Sequence, residues 1–209
     1  MSGTSVIRTS DGGYLALGAN ISTYLMTDYY VTFFQTQVVK TDSSGNLVWS
    51  KVYSLGDLLS DQYRDTQLKV AVQTSDGYVL AGSLGEQAFL VKIDSDGNII
   101  WQKTYELEGI NALIQTSDGG YAVVGSLYTV SLSPPQFQIM KVDSQGNLLW
   151  HKGYSSMPAA LGISFGFPGT PSAILQSSDQ GYIITSTEGH YCPSSTPCQM
   201  FKLDSNGSL

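Results

Sequence analysis

The chain has 209 residues, 42% of them hydrophobic and 13% charged, with a formal net charge of −7. That apolar content suits one sizeable core or two small ones rather than a disordered chain. The acidic balance argues against a nucleic-acid partner, which requires clustered Lys and Arg, and no apolar run approaches the ~20 residues of a membrane-spanning helix.

Met1-Ser2-Gly3-Thr4 leads directly into a strand-like segment, without the charged and apolar regions of a secretory leader. The chain therefore reads as cytosolic, or as the mature part or an excised piece of an exported one. The first unit begins at Val6 with a short apolar strand and the turn Thr9-Ser10-Asp11-Gly12-Gly13. Gly after Asp supplies the positive φ that tight hairpin turns need. An alternating strand from Tyr14 to Gly18 follows, then a variable loop at 24–34, then a third strand ending in Lys40-x-Asp42. A second tight turn at Gly45-Asn46 leads into a fourth strand with Trp49, Lys51 and Tyr53 at alternate positions. The linker at 54–68 carries Asp57, Asp61 and Asp65, and its 57–65 stretch is predicted to form a short helical turn.

The same unit returns three times. Thr74-Ser75-Asp76-Gly77-Tyr78, Lys92-x-Asp94, Gly97-Asn98 and Trp101-x-Lys103-x-Tyr105 make the second. Thr116-Ser117-Asp118-Gly119-Gly120-Tyr121, Lys141-x-Asp143, Gly146-Asn147 and Trp150-x-Lys152-x-Tyr154 make the third. The fourth has Ser177-Ser178-Asp179-Gln180-Gly181-Tyr182, Lys202-x-Asp204 and Gly207-Ser208, and reaches Leu209 before a Trp strand. Variable loops are expected at 129–136, 155–172 and 189–197, where specificity resides on a repeated scaffold. Period-two patterning and Gly-rich turns exclude helices elsewhere. The predicted fold is all-β, a single domain over 1–209. It is a β-propeller of four four-stranded blades at 6–53, 70–105, 110–154 and 172–209, the last incomplete. Fifteen strands stand where four complete blades need sixteen. That edge predicts a longer parent chain, a strand from another chain, or a three-stranded last blade, and the first two imply partners or self-association.

These motifs resemble the quinoprotein-like β-propeller repeats of bacterial and archaeal surface and secreted proteins. There a strand ending in Gln-Thr-Ser-Asp-Gly-Gly-Tyr precedes a Lys-x-Asp-x-x-Gly-Asn hairpin and a Trp strand. The resemblance covers nearly the whole chain. It implies a propeller and an extracellular or cell-surface location, and it leaves activity open, because propellers host unrelated functions. It also raises a quinone-dependent dehydrogenase. Four units are few for that ring, and the adjacent cysteine pair of many such enzymes is absent, Cys192 and Cys198 being separated by five residues.

Candidate sites are weighed one by one. Cys192 and Cys198 bracket a polar loop with two prolines, a spacing that can bring the sulfurs within bridging distance. A disulfide is expected, with free thiols as the alternative; zinc would need ligands beyond the nearby His190. Asp94-Ser95-Asp96-Gly97-Asn98 resembles the start of a calcium loop. Ser44, Gln145 and Asn206 replace Asp96 in the other units, so a hairpin turn is the favoured reading. Trp49, Trp101 and Trp150 recur at one position, as core or inter-blade packing would require. Tyr24, Tyr29, Tyr30, Phe33, Tyr63, Tyr128, Phe165 and Phe167 lie off the repeat and are better contact candidates. Of ten Lys and Arg, only Arg8, Arg64 and Lys69 lie outside the repeated positions. His151 and His190 lack spaced partners, and the paired acids Glu106 and Glu108 are the nearest approach to a glycosidase pair. Asn20-Ile21-Ser22 and Asn206-Gly207-Ser208 match the N-glycosylation sequon, Asn20 being the candidate and the second a turn. No catalytic, cofactor or metal residues are assigned. The expected function is non-enzymatic: a cell-surface or extracellular structural, adhesive or ligand-binding subunit that meets protein or glycan partners through its loops. An enzyme on the same scaffold, a glycosidase or quinone-dependent dehydrogenase, is the alternative.

Overall fold

A computed structural model describes residues 2–25, 30–53, 66–84, 87–107, 109–127, 136–154, 170–186 and 199–209, and none of these is helical. The first sheet comprises β1 (Ser2–Arg8), β2 (Tyr14–Leu25), β3 (Tyr30–Thr41) and β4 (Leu47–Tyr53). The second comprises β5 (Thr66–Thr74), β6 (Gly77–Leu84), β7 (Gln87–Asp94) and β8 (Ile99–Tyr105). The third comprises β9 (Ile110–Gln115), β10 (Tyr121–Leu127), β11 (Gln136–Val142) and β12 (Leu148–Tyr154). The fourth has three strands, β13 (Pro171–Gln176), β14 (Tyr182–Ser186) and β15 (Gln199–Leu203). Every sheet is an antiparallel meander with its strands in chain order. The four repeats are therefore four sheets, as the recurrence predicts.

The chain divides into two compact units, Met1–Glu106 and Leu107–Leu209, with two sheets in each. In the first unit, Leu15, Leu17, Val38 and Tyr53 of the first sheet join Leu68, Tyr78, Leu80, Phe89, Val91 and Ile93 of the second in one core. Trp49 and Ile7 pack against its margin. In the second unit, Ala122, Val124, Phe137 and Ile139 of the third sheet meet Ile174, Tyr182, Ile184 and Leu203 of the fourth. Each fully buried aliphatic or aromatic side chain contributes about 1.5–3 kcal/mol, so these two seams contribute substantially to stability. Residues of both parities are buried in β6 (Val79, Leu80) and in β10 (Ala122, Val123), which fits the near-continuous apolar runs of those strands.

One bulge recurs in every first strand. The registers skip Thr4, Lys69, Asn111 and Ser172, which lie opposite Leu17–Gly18, Ala81–Gly82, Val124–Gly125 and Thr185–Ser186 of the second strands. An extra residue bends the strand and raises its twist, so four copies curve four sheets alike. The turn between first and second strands also recurs: Gly12 N donates to Thr9 O (2.9 Å) and Gly119 N to Thr116 O (2.9 Å). Gly12 and Gly119 there have φ of 84° and 81°, and in the fourth sheet Gln180 takes the same left-handed conformation at 69°.

Two expectations are corrected or set aside. Residues 24–25 and 30–34 of the expected 24–34 loop are strand: β2 and β3 pair without a break from Tyr14↔Thr41 to Leu25↔Tyr30, and 26–29 lie outside the described residues. Polar and aromatic residues at 22–25 and 30–34 extend the two paired strands, which suits the period of a strand. The predicted helical turn at 57–65 lies outside the described residues.

Candidate functional site

The repeated charged residues meet within each sheet. Lys40 Nζ lies 2.7 Å from Asp11, Lys92 2.9 Å from Asp76, Lys141 2.9 Å from Asp118 and Lys202 2.6 Å from Asp179. The third strand thus ties down the first turn beside it. Asp11 also accepts from the Thr9 hydroxyl (2.5 Å) and Gly13 N (3.0 Å), and the Lys40 ammonium, joined by these two donors, holds its carboxyl far below the usual carboxylate range. Burial alone would raise the Asp118 carboxyl. The Thr116 hydroxyl, the Lys141 ammonium and Gly120 N outweigh it and lower the pKa to about 2.

The second turns repeat as tightly. Asp42, Asp94 and Asp143 each accept two backbone N–H bonds on Oδ1 and a following Asn amide on Oδ2. Asp94 therefore does turn work, with both oxygens engaged by its own loop, and Asp96 contributes only its backbone N–H to Asp94. Among the described residues no group of three or more His, Cys, Asp or Glu could hold a metal ion.

Within each unit the same clasp joins the two sheets. Trp49 Nε1 donates to Ser95 O (2.9 Å), Lys51 Nζ to Asn98 Oδ1 (2.7 Å) and Tyr53 OH to Gly97 O (2.6 Å). In the second unit Lys152 Nζ donates to Ser208 Oγ (2.9 Å) and Tyr154 OH to Gly207 O, with Trp150 against Gly207. The fourth strand of one sheet so grips the second turn of the next. Burial, with the Asp94 carboxylate nearby, pushes the Tyr53 phenol up; the same effect near Asp204 takes Tyr154 to about 12. Both stay protonated donors at any physiological pH. Trp150 also meets Tyr182 edge-on, ring centroids 5.8 Å apart. The repeated tryptophans at 49 and 150 thus serve inter-sheet packing, as their recurrence suggested.

Two further contacts went unnoticed in the sequence, although their recurrence was readable there. Gln73 Oε1 accepts from Ser10 N (2.8 Å) while its Nε2 donates to Ser10 Oγ (2.8 Å). Gln176 Oε1 accepts from Ser117 N (2.8 Å) in the second unit. The bulge side chains reach across as well: Thr4 Oγ1 donates to Leu68 O (3.2 Å) and Asn111 Nδ2 to Pro171 O (2.7 Å). A shallow cavity of about 450 Å³ lies where the first turns of the first two sheets approach, lined by Ser10, Asp11, Gln73, Asp76, Tyr78 and Ser95. Its acids are engaged by Lys40 and Lys92, and Ser10 by Gln73. The arrangement couples the two sheets.

The remaining candidates lie partly outside the described residues. Glu106 is exposed at the end of the first unit, and Glu108 lies outside the described residues. His151 meets Gln138 Oε1 at 3.3 Å, and His190 lies outside them. So do Cys192, Cys198, Tyr29, Tyr63, Arg64, Tyr128, Phe165, Phe167, Asp57, Asp61 and Asp65. Asn20, Tyr24, Tyr30 and Phe33 occupy strand positions in the long β2–β3 hairpin. No helix among the described residues is long and apolar enough to cross a membrane. No family model and no curated protein matches the chain.

Proposed function

We propose that this protein is a non-enzymatic subunit of the cell surface or extracellular space, acting in binding or assembly. Its four sheets are read as blades of a β-propeller of the quinoprotein-like repeat type. One observation carries the reading: the repeated charged residues hold the fold together. Lys40, Lys92, Lys141 and Lys202 fasten turn carboxylates, while Lys51 and Lys152 grip the next sheet's turn. A scaffold that uses its ionic groups in this way leaves contact surfaces, not acid–base chemistry, to carry function. The loops at 129–136, 155–172 and 189–197 are the proposed contact regions, with a Cys192–Cys198 disulfide and a glycan on Asn20 as fitting modifications.

Two measurements on the purified chain test this. Glycan and peptide arrays, run beside light scattering, are expected to give saturable binding or concentration-dependent mass. A panel of glycosides, and of alcohols with a quinone acceptor, is expected to give no turnover. Turnover abolished by Glu106→Gln would overturn the proposal.

A further inference from the structure

The first and fourth sheets carry faces whose counterparts elsewhere in the molecule are covered. By strand register, Tyr14 of the first sheet corresponds to Tyr78 of the second and Tyr182 of the fourth. Tyr78 is 3% exposed and Tyr182 1%, each packed against the preceding sheet, whereas Tyr14 is 43% exposed. Val6 sits on the same face and is 65% exposed, against 9% for its counterpart Ala71 and 8% for Ile174. The adjoining turn agrees. A Cβ on Gly97 would meet Trp49, Lys51 and Tyr53 at 3.1 Å, but one on Gly45 would find no atom within 4 Å.

The fourth sheet shows the opposite half of the contact. Met200 corresponds by register to Val38 and Ile139, both fully buried against the following sheet, yet Met200 is 71% exposed. Leu175, the counterpart of Ile7 and Ile114, is 51% exposed. One sheet thus displays the face that receives a preceding sheet, and the other the face that covers a following one. The molecule itself demonstrates twice, at the first–second and third–fourth seams, that these faces fit.

We propose that the first-sheet face of one copy packs on the fourth-sheet face of a second copy, head to tail. This rests on the assembly reading above and specifies its surface. A change of charge supports the pairing. Arg8 stands where Gln73 and Gln176 read the preceding sheet's turn. Placed likewise, its guanidinium meets the turn Ser178-Asp179 of the second copy, donating to Ser178 Oγ as Gln73 does to Ser10. That turn carries the exposed Asp179 carboxylate and is open: Lys202, which pairs with Asp179, is 46% exposed, against 4% for Lys40. The contact is heterologous, so it closes into a ring or continues as a filament. The first-sheet face is also more polar than the seams it imitates, with Gln37 and Thr41 where Phe89 and Ile93 lie in the second sheet. Association is accordingly weaker than folding and depends on concentration and salt.

Light scattering across a concentration series tests this with three chains: wild type, Tyr14→Lys and Met200→Lys. Both positions are exposed, so neither change disturbs a core. The wild-type mass is expected to rise with concentration, and each variant alone to associate at least about tenfold more weakly. Mixed in equal amounts, the variants retain one intact face each and are expected to form dimers that grow no further. Arg8→Glu should weaken wild-type association by up to about fivefold, an effect that salt removes. A wild type that stays monomeric overturns the proposal, as does growth unaffected by either variant, or variants that do not pair when mixed. None of these results touches the non-enzymatic reading, which falls only to turnover.

Discussion

Turns 42–46 and 94–98 differ in sequence only at their third residue, Ser44 against Asp96, and their hydrogen bonds match atom for atom. Gly45 nevertheless is exposed, while Gly97 is buried beneath Trp49, Lys51 and Tyr53. Local chemistry makes the turn, and the neighbouring sheet makes it a binding site. The same contrast separates Phe89 from Gln37, which occupy equivalent register positions opposite Gly82 and Gly18. Phe89 lies in a seam at 1% exposure, whereas Gln37 is half-buried and donates to Ser50 Oγ (2.7 Å).

The largest expected effect sits at that second pair. Phe89→Ala removes an aromatic ring from a closed seam and should cost about 3–5 kcal/mol, while Gln37→Ala should cost less than about 1 kcal/mol. Urea unfolding of both variants gives the difference directly; equal losses would mean the two faces are equally covered in solution. Next comes the turn pair. Alanine at either Gly45 or Gly97 must adopt a left-handed backbone, costing about 1–2 kcal/mol. At Gly97 the added carbon also displaces Trp49, Lys51 and Tyr53, for about 1–2 kcal/mol more. If Gly45→Ala proved as costly as Gly97→Ala, the turn at 42–46 would be clasped by something in solution.

The smallest effect compares two lysine–aspartate pairs. Lys141 is 5% exposed and Lys202 46%, so Asp118→Asn leaves a buried ammonium short of its partner and Asp179→Asn does not. We expect Asp118→Asn to cost about 1–2 kcal/mol and Asp179→Asn to cost less. The pH dependence has a definite sign. A carboxyl held low in the folded chain stabilises it fully above the unfolded value of about 3.9 and ceases to as pH falls toward the folded value. For Asp118 that window runs from about 4 down to about 2. Acid unfolding of the wild type should therefore begin in this range, and Asp118→Asn should flatten it.

Much of the fold was legible in the residues because each repeat states its turns outright. Thr-Ser-Asp-Gly-Gly-Tyr and Lys-x-Asp-x-x-Gly-Asn specify two hairpins through short-range hydrogen bonds, which need no distant partner. Strand at 22–25 and 30–34 was less legible, because the polar residues there resemble those of a surface loop and the pairing that makes them strand lies between two segments, not within one. The inter-sheet contacts were harder to read. Trp49, Lys51 and Tyr53 announce by their spacing that they share a face, but not which turn they will meet. Gln73 and Gln176 recur before each Thr/Ser-Ser-Asp, yet nothing local shows them reaching the preceding turn rather than water.

By itself, then, the sequence determined the number of sheets, the order of their strands and the identity of each turn, since all three follow from contacts between residues near in the chain. Tertiary structure alone decided which of several identical motifs are gripped and which are exposed. That outcome depends on whether another sheet lies against them. The repeated turns and tyrosines are alike from sheet to sheet, and packing separates the covered copies from the exposed Tyr14 and Met200.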